Sequence, residues 1–290
     1  MSDFGAETMA GPLARVIVRT PPAALAQADP ALWHYRGKFD LARARTEHAA
    51  FVAALEASGS EVIVLRDRAE EFPDSVYTHD ASLVTAGGAI LLRMGKALRA
   101  PEPELHGRLY RQLGVPVLGS IEAPGTIEAG DVLWLNPATV VIGRGYRTND
   151  AGIAQLTQLL RPRGIEVFAY DLPHAGGPQA CMHLLSLVSL VAHDLALVYL
   201  PASPVRLLEL LAERSIGIIA APAREYLASG TISANVLALA PRRCLMVEGY
   251  PETRAALEAA HCLVQVFAGQ ELCAKGEGGP TCLTRPLFRR

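Results

Sequence analysis

Gly125-Thr126-Ile127-Glu128-Ala129-Gly130-Asp131, running on into Val132-Leu133-Trp134-Leu135, Asn136-Pro137 and Thr139-Val140-Val141-Ile142-Gly143, is the stretch on which the reading of this chain turns. Two short apolar runs separated by turn residues are the sequence signature of a hairpin. The run is entered through a carboxylate, Glu128, set among small and apolar residues. A carboxylate so placed is costly to bury without a partner.

The same pattern recurs along the chain. Ala81–Val84 and Ala89–Leu92 flank Gly87-Gly88 behind Asp80, and Leu185–Val191 and Ala196–Leu200 flank His193-Asp194 behind His183. Asn235–Leu239 and Cys244–Val247 flank Pro241-Arg242-Arg243. Most pairs are followed by a helical pattern and one more strand: Glu102–Leu113 then Val115–Leu118, Ala151–Leu160 then Ile165–Ala169, Pro204–Leu211 then Ile216–Ala220, and Pro251–Ala260 then Leu263–Phe267. At the front, Leu41–Ser58 leads to Glu61–Leu65. A supersecondary unit repeating about every fifty residues is what a ring of similar blades looks like in sequence.

Four complete units and a fifth split between Arg15–Arg19 and Thr281–Leu283 predict an α/β fold: a five-bladed α/β propeller of ββαβ units around a central channel. Sharing one unit between the chain ends would close the ring and remove exposed strand edges. A doubly wound sheet also alternates strands and helices, but it does not place an antiparallel hairpin between successive helices. The expected organisation is a flexible N-terminal extension over residues 1–14 and a single catalytic α/β-propeller domain over residues 15–290.

Composition narrows the function. Of 290 residues, 50% are hydrophobic and 19% charged, the balance of a globular chain, and the net charge of -2 provides no basic footprint for nucleic acid. No apolar run is long enough to span a bilayer, and Met1 to Pro12 lacks the pattern of a signal peptide, so no membrane partner is expected. Five cysteines without CxxC or CxxH spacing argue against a zinc site or a disulfide framework and for a reducing cytoplasm. No metal and no organic cofactor is expected; the partner is a small molecule, and self-association is compatible with the composition.

In a ring, equivalent entrances converge on one mouth. Asp80, Glu128, His183 and Cys282 would then meet there: a thiol, a proton shuttle and two acids, the groups needed for covalent attack on a cationic carbon. Each has an ordinary alternative. An isolated histidine in apolar sequence is more often a satisfied core group, and a free cysteine is more often a small buried hydrophobe. Two glycines just ahead of Cys282, in Gly278-Gly279-Pro280-Thr281-Cys282, suggest close backbone approach. Cys181, Cys244, Cys262 and Cys273 read as structural. Asp131 reads as a solvated turn carboxylate. Asp74 and Asp80, six apart around Tyr77, could hold two ends of a positively charged ligand, although Asp74 also suits a turn cap. Arg99 and Arg147 could bind a carboxylate at the channel rim.

Taken in order, Val16-Ile17-Val18-Arg19-Thr20-Pro21, Phe72-Pro73-Asp74-Ser75-Val76, Glu122 to Asp131, Arg147-Thr148-Asn149, Ala234-Asn235, Gly249-Tyr250-Pro251 and Gly278 to Cys282 resemble the dimethylarginine dimethylaminohydrolases of the guanidine-modifying superfamily. The resemblance implies a five-bladed α/β propeller that hydrolyses N-methylated arginine to citrulline and an alkylamine. It implies Cys282 as nucleophile, His183 as general acid and base, and Glu128 as the carboxylate holding His183 and the guanidinium. It further implies Asp80 on the guanidinium nitrogens, Asp74 on the α-amino group, Arg99 and Arg147 on the carboxylate, and Glu277 just ahead of the nucleophile. A flap over the substrate is implied for Ala31 to Gly37, with Leu32, Trp33 and Tyr35.

Two positions depart from the family pattern. His79 stands where a glutamate is usual beside the guanidine-binding aspartate and bears on which N-substituent is accepted. Leu185 replaces a lysine common two residues after the histidine; arginine deiminases and amidinotransferases carry an aspartate there, which weighs against both. The alternatives are a related guanidine-modifying enzyme, an amidinotransferase or a hydrolase of another substituted arginine, and a non-catalytic ring protein, which would have no use for Cys282, His183 and Glu128 together.

Overall fold

The computed structural model describes residues 3–66, 72–180 and 182–290. Cys181, expected as a structural cysteine, lies outside them. Among the described residues five three-stranded sheets form, each with one antiparallel and one parallel pairing about its middle strand. The first blade is Arg285–Arg289, Leu13–Val18 and Glu61–Val64; the second is Ser82–Thr85, Gly88–Leu91 and Val117–Ser120. The third is Val132–Asn136, Thr139–Arg144 and Glu166–Asp171. The fourth is Val188–Ala192, Leu195–Val198 and Gly217–Ala220, and the fifth Leu237–Ala240, Arg243–Val247 and Leu263–Phe267.

The innermost strands of the second and fourth blades are covered on both faces. Ser82–Thr85 and Val188–Ala192 are buried at every position, whereas the outermost Leu263–Phe267 alternates between exposed and covered residues. The helices Leu41–Ala57, Glu102–Gln112, Asp150–Leu160, Val205–Glu213 and Pro251–Ala259 supply the crossovers that parallel pairing requires. Their starts are written locally: Asp40 and Asn149 accept cap hydrogen bonds from Arg43 and Gly152, and Pro251 occupies the first turn. No helix among the described residues is long and apolar enough to cross a membrane.

A circuit of hydrogen bonds around the blade entrances closes the ring. Asp80 of the second blade accepts from the backbone of Ala129 and Gly130, and Asp131 of the third accepts from Leu184 of the fourth. The Ser189 hydroxyl donates to Ala234 and accepts from Val236 of the fifth. Asn235 accepts from Thr281, and the Cys282 carbonyl accepts from His79, returning to the second blade.

Three expectations are revised. The last strand is Arg285–Arg289 rather than Thr281–Leu283, because Leu283 and Thr284 bond back to Gly279 and Thr281 and wind that segment into a turn. The N-terminal extension is packed: Gly5 donates to Leu287, Ala6 to Val84, and Leu13 already belongs to the first blade. Asp131 is not solvated but fully buried, accepting from Leu184 N and the Thr148 hydroxyl.

Candidate active site

Each functional side chain enters from the turn that precedes an innermost strand. Short helical turns, Ala129–Asp131, Leu184–Ser186 and Ile232–Ala234, fold the chain sharply before the strand and aim the preceding residue at the axis. Glu128 and His183 arrive in this way; Asp80 comes from the turn just before Ser82, Asn235 directly follows its helical turn, and Cys282 stands in the corresponding turn ahead of the closing strand. Gly130 permits the convergence. A Cβ there would lie 2.3 Å from Nδ1 of His183 and 3.0 Å from Oδ1 of Asp80.

One cavity is lined by Cys282, His183, Asp80, Asp74, Tyr77, Arg99, Arg147 and Glu277. Ligand atoms of Asp80, Glu128 and His183 lie within 4.8 Å of one another. His183 Nε2 is 2.8 Å from Glu128 Oε2, and Glu128 is wholly buried. Its Oε1 accepts from Lys96 N, and both oxygens lie 3.4 Å from Arg147. Burial alone would raise the Glu128 pKa, but the His183 hydrogen bond and the charges of His183 and Arg147 outweigh it and hold the group ionised. Asp80 follows the same logic: burial opposes its charge, and the charges of Arg99, 2.6 Å away, and His183 together outweigh it. Two buried carboxylates therefore stay charged at the mouth, each with lone pairs beyond those its neighbours use. That donor set suits either a planar guanidinium or a divalent ion; an ion would have to compete with Arg99, Arg147 and His183 for the same oxygens.

Cys282 is half-buried, and its Sγ accepts from Asn235 Nδ2 at 3.2 Å. Hydrogen bonding to sulfur favours the thiolate. The remaining described cysteines, Cys244, Cys262 and Cys273, are buried thiols whose pKa values burial raises.

Several expected residues sit elsewhere than foreseen. Arg99 is not at a rim: its buried guanidinium is held by Asp80, Glu102 and the Tyr77 carbonyl. His79 does not line the cavity, because its Nδ1 is 2.9 Å from the Thr284 carbonyl and it packs under the closing turn. Burial and the nearby Arg285 charge keep it neutral, with a pKa near 3. Leu185 packs into the apolar core between blades and likewise stays out of the cavity. Leu32 is 55% exposed and faces away. His34, at φ 63°, turns the end of the helix Pro30–Trp33 so that Trp33 and Tyr35 line the cavity instead. Tyr77 is buried, donates to the Leu272 carbonyl, and packs where Gly276 and Gly278 leave no side chain. Glu277 lies on the wall, paired with Arg36 at 2.7 Å.

Sequence reading missed Lys96, Asn235 as a thiol partner, and Ser186. Lys96 Nζ lies 2.6 Å from Asp74 Oδ2 and 4.9 Å from the centre of the Trp33 ring. Asn235 could have been found from its place at the fifth entrance, equivalent to those of Asp80, Glu128 and His183.

A five-bladed ring whose mouth gathers a thiol, an imidazole and paired acids has the architecture and chemistry of the guanidine-modifying α/β propellers. A family model described as arginine deiminase matches residues 68–202. A dimethylarginine dimethylaminohydrolase of Streptomyces coelicolor is 32% identical over 94% of this chain and 96% of its own, and one of Pseudomonas aeruginosa is 28% identical over 93% and 97%. The Pseudomonas aeruginosa enzyme, as a cysteine-to-serine variant complexed with citrulline, superposes with a TM-score of 0.77 at 27% identity, covering 96% of this chain and 100% of that one. The chain belongs to the dimethylarginine dimethylaminohydrolase family.

Proposed function

We propose that the protein hydrolyses the substituted guanidinium of an N-methylated arginine, dimethylarginine or monomethylarginine, to citrulline and an alkylamine. The observation that carries this is one cavity shared by Cys282 and His183, with Glu128 and Asp80 held ionised beside them. Relatives of this family named for the same reaction support it, as does the citrulline bound to the Pseudomonas aeruginosa enzyme.

Asp80 and Glu128 fix the planar cation by paired hydrogen bonds. The Cys282 thiolate, favoured by Asn235 and by the bound charge, attacks the guanidinium carbon and forms a C–S bond. His183, oriented by Glu128, protonates the departing amine as the C–N bond breaks, leaving a thiouronium on Cys282. His183 then takes a proton from water as the oxygen adds to the same carbon, and expulsion of the thiolate releases citrulline. Arg147 serves the substrate carboxylate, Tyr77 and Glu277 shape the wall, and the flap carrying Trp33 and Tyr35 covers the site. The four described cysteines, all free thiols, suit a reducing cytoplasm.

Citrulline release from monomethylarginine tests the reading. Cys282→Ser and His183→Gly should each abolish it in a folded protein, and near-normal turnover by either would reject the assignment.

A further inference from the structure

We propose that Lys96 takes the place of a substrate ammonium on Asp74. The pocket then recognises a substituted guanidinium and a carboxylate, and an α-amine between them gains nothing. This rests on the hydrolase reading above and deepens it by naming the substrate class: N-substituted guanidino acids, with or without the α-amine.

Asp74 is the acid that would be expected to hold an α-ammonium, yet both of its oxygens are engaged. Oδ1 accepts from the Tyr35 hydroxyl, and Oδ2 accepts from Lys96 Nζ at 2.6 Å. Lys96 Nζ also donates to the Trp33 carbonyl at 2.9 Å and lies 4.9 Å and 5.8 Å from the centres of the Trp33 and Tyr35 rings. A carboxylate, a carbonyl and two aromatic faces are what a bound ammonium needs, and here the chain supplies the ammonium itself. The pair is little exposed, at 12% for Lys96 and 6% for Asp74, so solvent screens it weakly. The Lys96 backbone N–H donates to Glu128 Oε1, which anchors this residue to the catalytic acid as well.

A second ammonium would share one carboxylate with Lys96 and meet its like charge at close range, so its attraction to Asp74 largely cancels. A carboxylate entering the same end meets the opposite field, because Lys96 and Arg147 both border the cavity. The residue that sets this preference is thus a lysine and not the acid beside it.

Binding separates the proposal from the reaction. Dissociation constants are measured by calorimetry on Cys282→Ser for monomethylarginine and for its analogue with hydrogen in place of the α-amino group. The two should agree within about threefold in Cys282→Ser, and adding Lys96→Met should shift their ratio at least about tenfold towards monomethylarginine. A tenfold preference for the amine already present before Lys96 is changed, or a ratio that Lys96→Met leaves unmoved, overturns the proposal. Should Lys96→Met fail to fold, the first comparison still decides, and Lys96→Gln repeats the second. Wild-type protein releasing neither citrulline nor the corresponding ureido acid would sink the hydrolase reading, while the binding ratio would still decide the role of Lys96.

Discussion

Gly130→Ala should disable the site without altering any group that reacts. Gly130 is not in the left-handed region, so alanine fits its backbone, and the effect must come from the methyl group. That methyl would stand 2.3 Å from Nδ1 and 2.7 Å from Cγ of His183, where ordinary contact begins near 3.4 Å. The imidazole must therefore move by about 1 Å, which is enough to break its 2.8 Å link to Glu128. Misplacement of that size costs roughly 100-fold in rate, or about 3 kcal/mol of transition-state stabilisation. Overpacking a filled interior adds about 1–3 kcal/mol of lost stability. The assay is kcat/KM for citrulline release from monomethylarginine, paired with thermal unfolding to show that the variant is folded. Gly87→Ala is the control, because its methyl would meet chiefly the end of the Arg163 side chain, which pairs with Glu7 away from the cavity lining. A Gly130→Ala enzyme within about threefold of wild type would refute the claim that the imidazole is positioned by this close approach.

Asp131 makes a pH-dependent prediction. Burial raises its pKa from 3.8 to about 6, above its unfolded value, so the folded state binds the proton more tightly. Its charge opposes folding increasingly as pH rises from about 4 to about 6, by up to about 3 kcal/mol, and the penalty is constant above that window. In urea unfolding, Asp131→Asn should gain on wild type across the same window, and a pH-independent difference would contradict this. Glu128→Gln should lower kcat by about 100-fold or more, because it removes the acceptor that orients His183; a KM change alone would place Glu128 in binding only. Iodoacetamide should label Cys282 ahead of Cys244, Cys262 and Cys273, with monomethylarginine slowing that labelling, as read by peptide mass spectrometry.

The ring was legible because hairpin signals and helices alternated with a constant period, and because Asp80, Glu128 and His183 recurred at equivalent entrances. Strand edges shifted by one to three residues where turn geometry intervened, as at Leu185–Val191, whose first residues form a helical turn before Val188. Side-chain direction was not legible. Nothing in the local sequence says that His79 bonds the Thr284 carbonyl 205 residues away, or that Glu102 captures the Arg99 fork. Lys96 escaped notice because a lysine in a Gly-Lys-Ala context reads as a surface residue until the flap is seen folded over it.

The blade that completes the circle is assembled from opposite ends of the polymer, so its pairing spans the greatest separation along the chain and is slow to form on entropic grounds. The proposed nucleophile stands only three positions ahead of its sealing strand, and its carbonyl carries one hydrogen bond of the final join. Partly folded chains with an open seam would therefore hold their acids and imidazole without a thiol to use them, so reactivity arrives in the same event as closure.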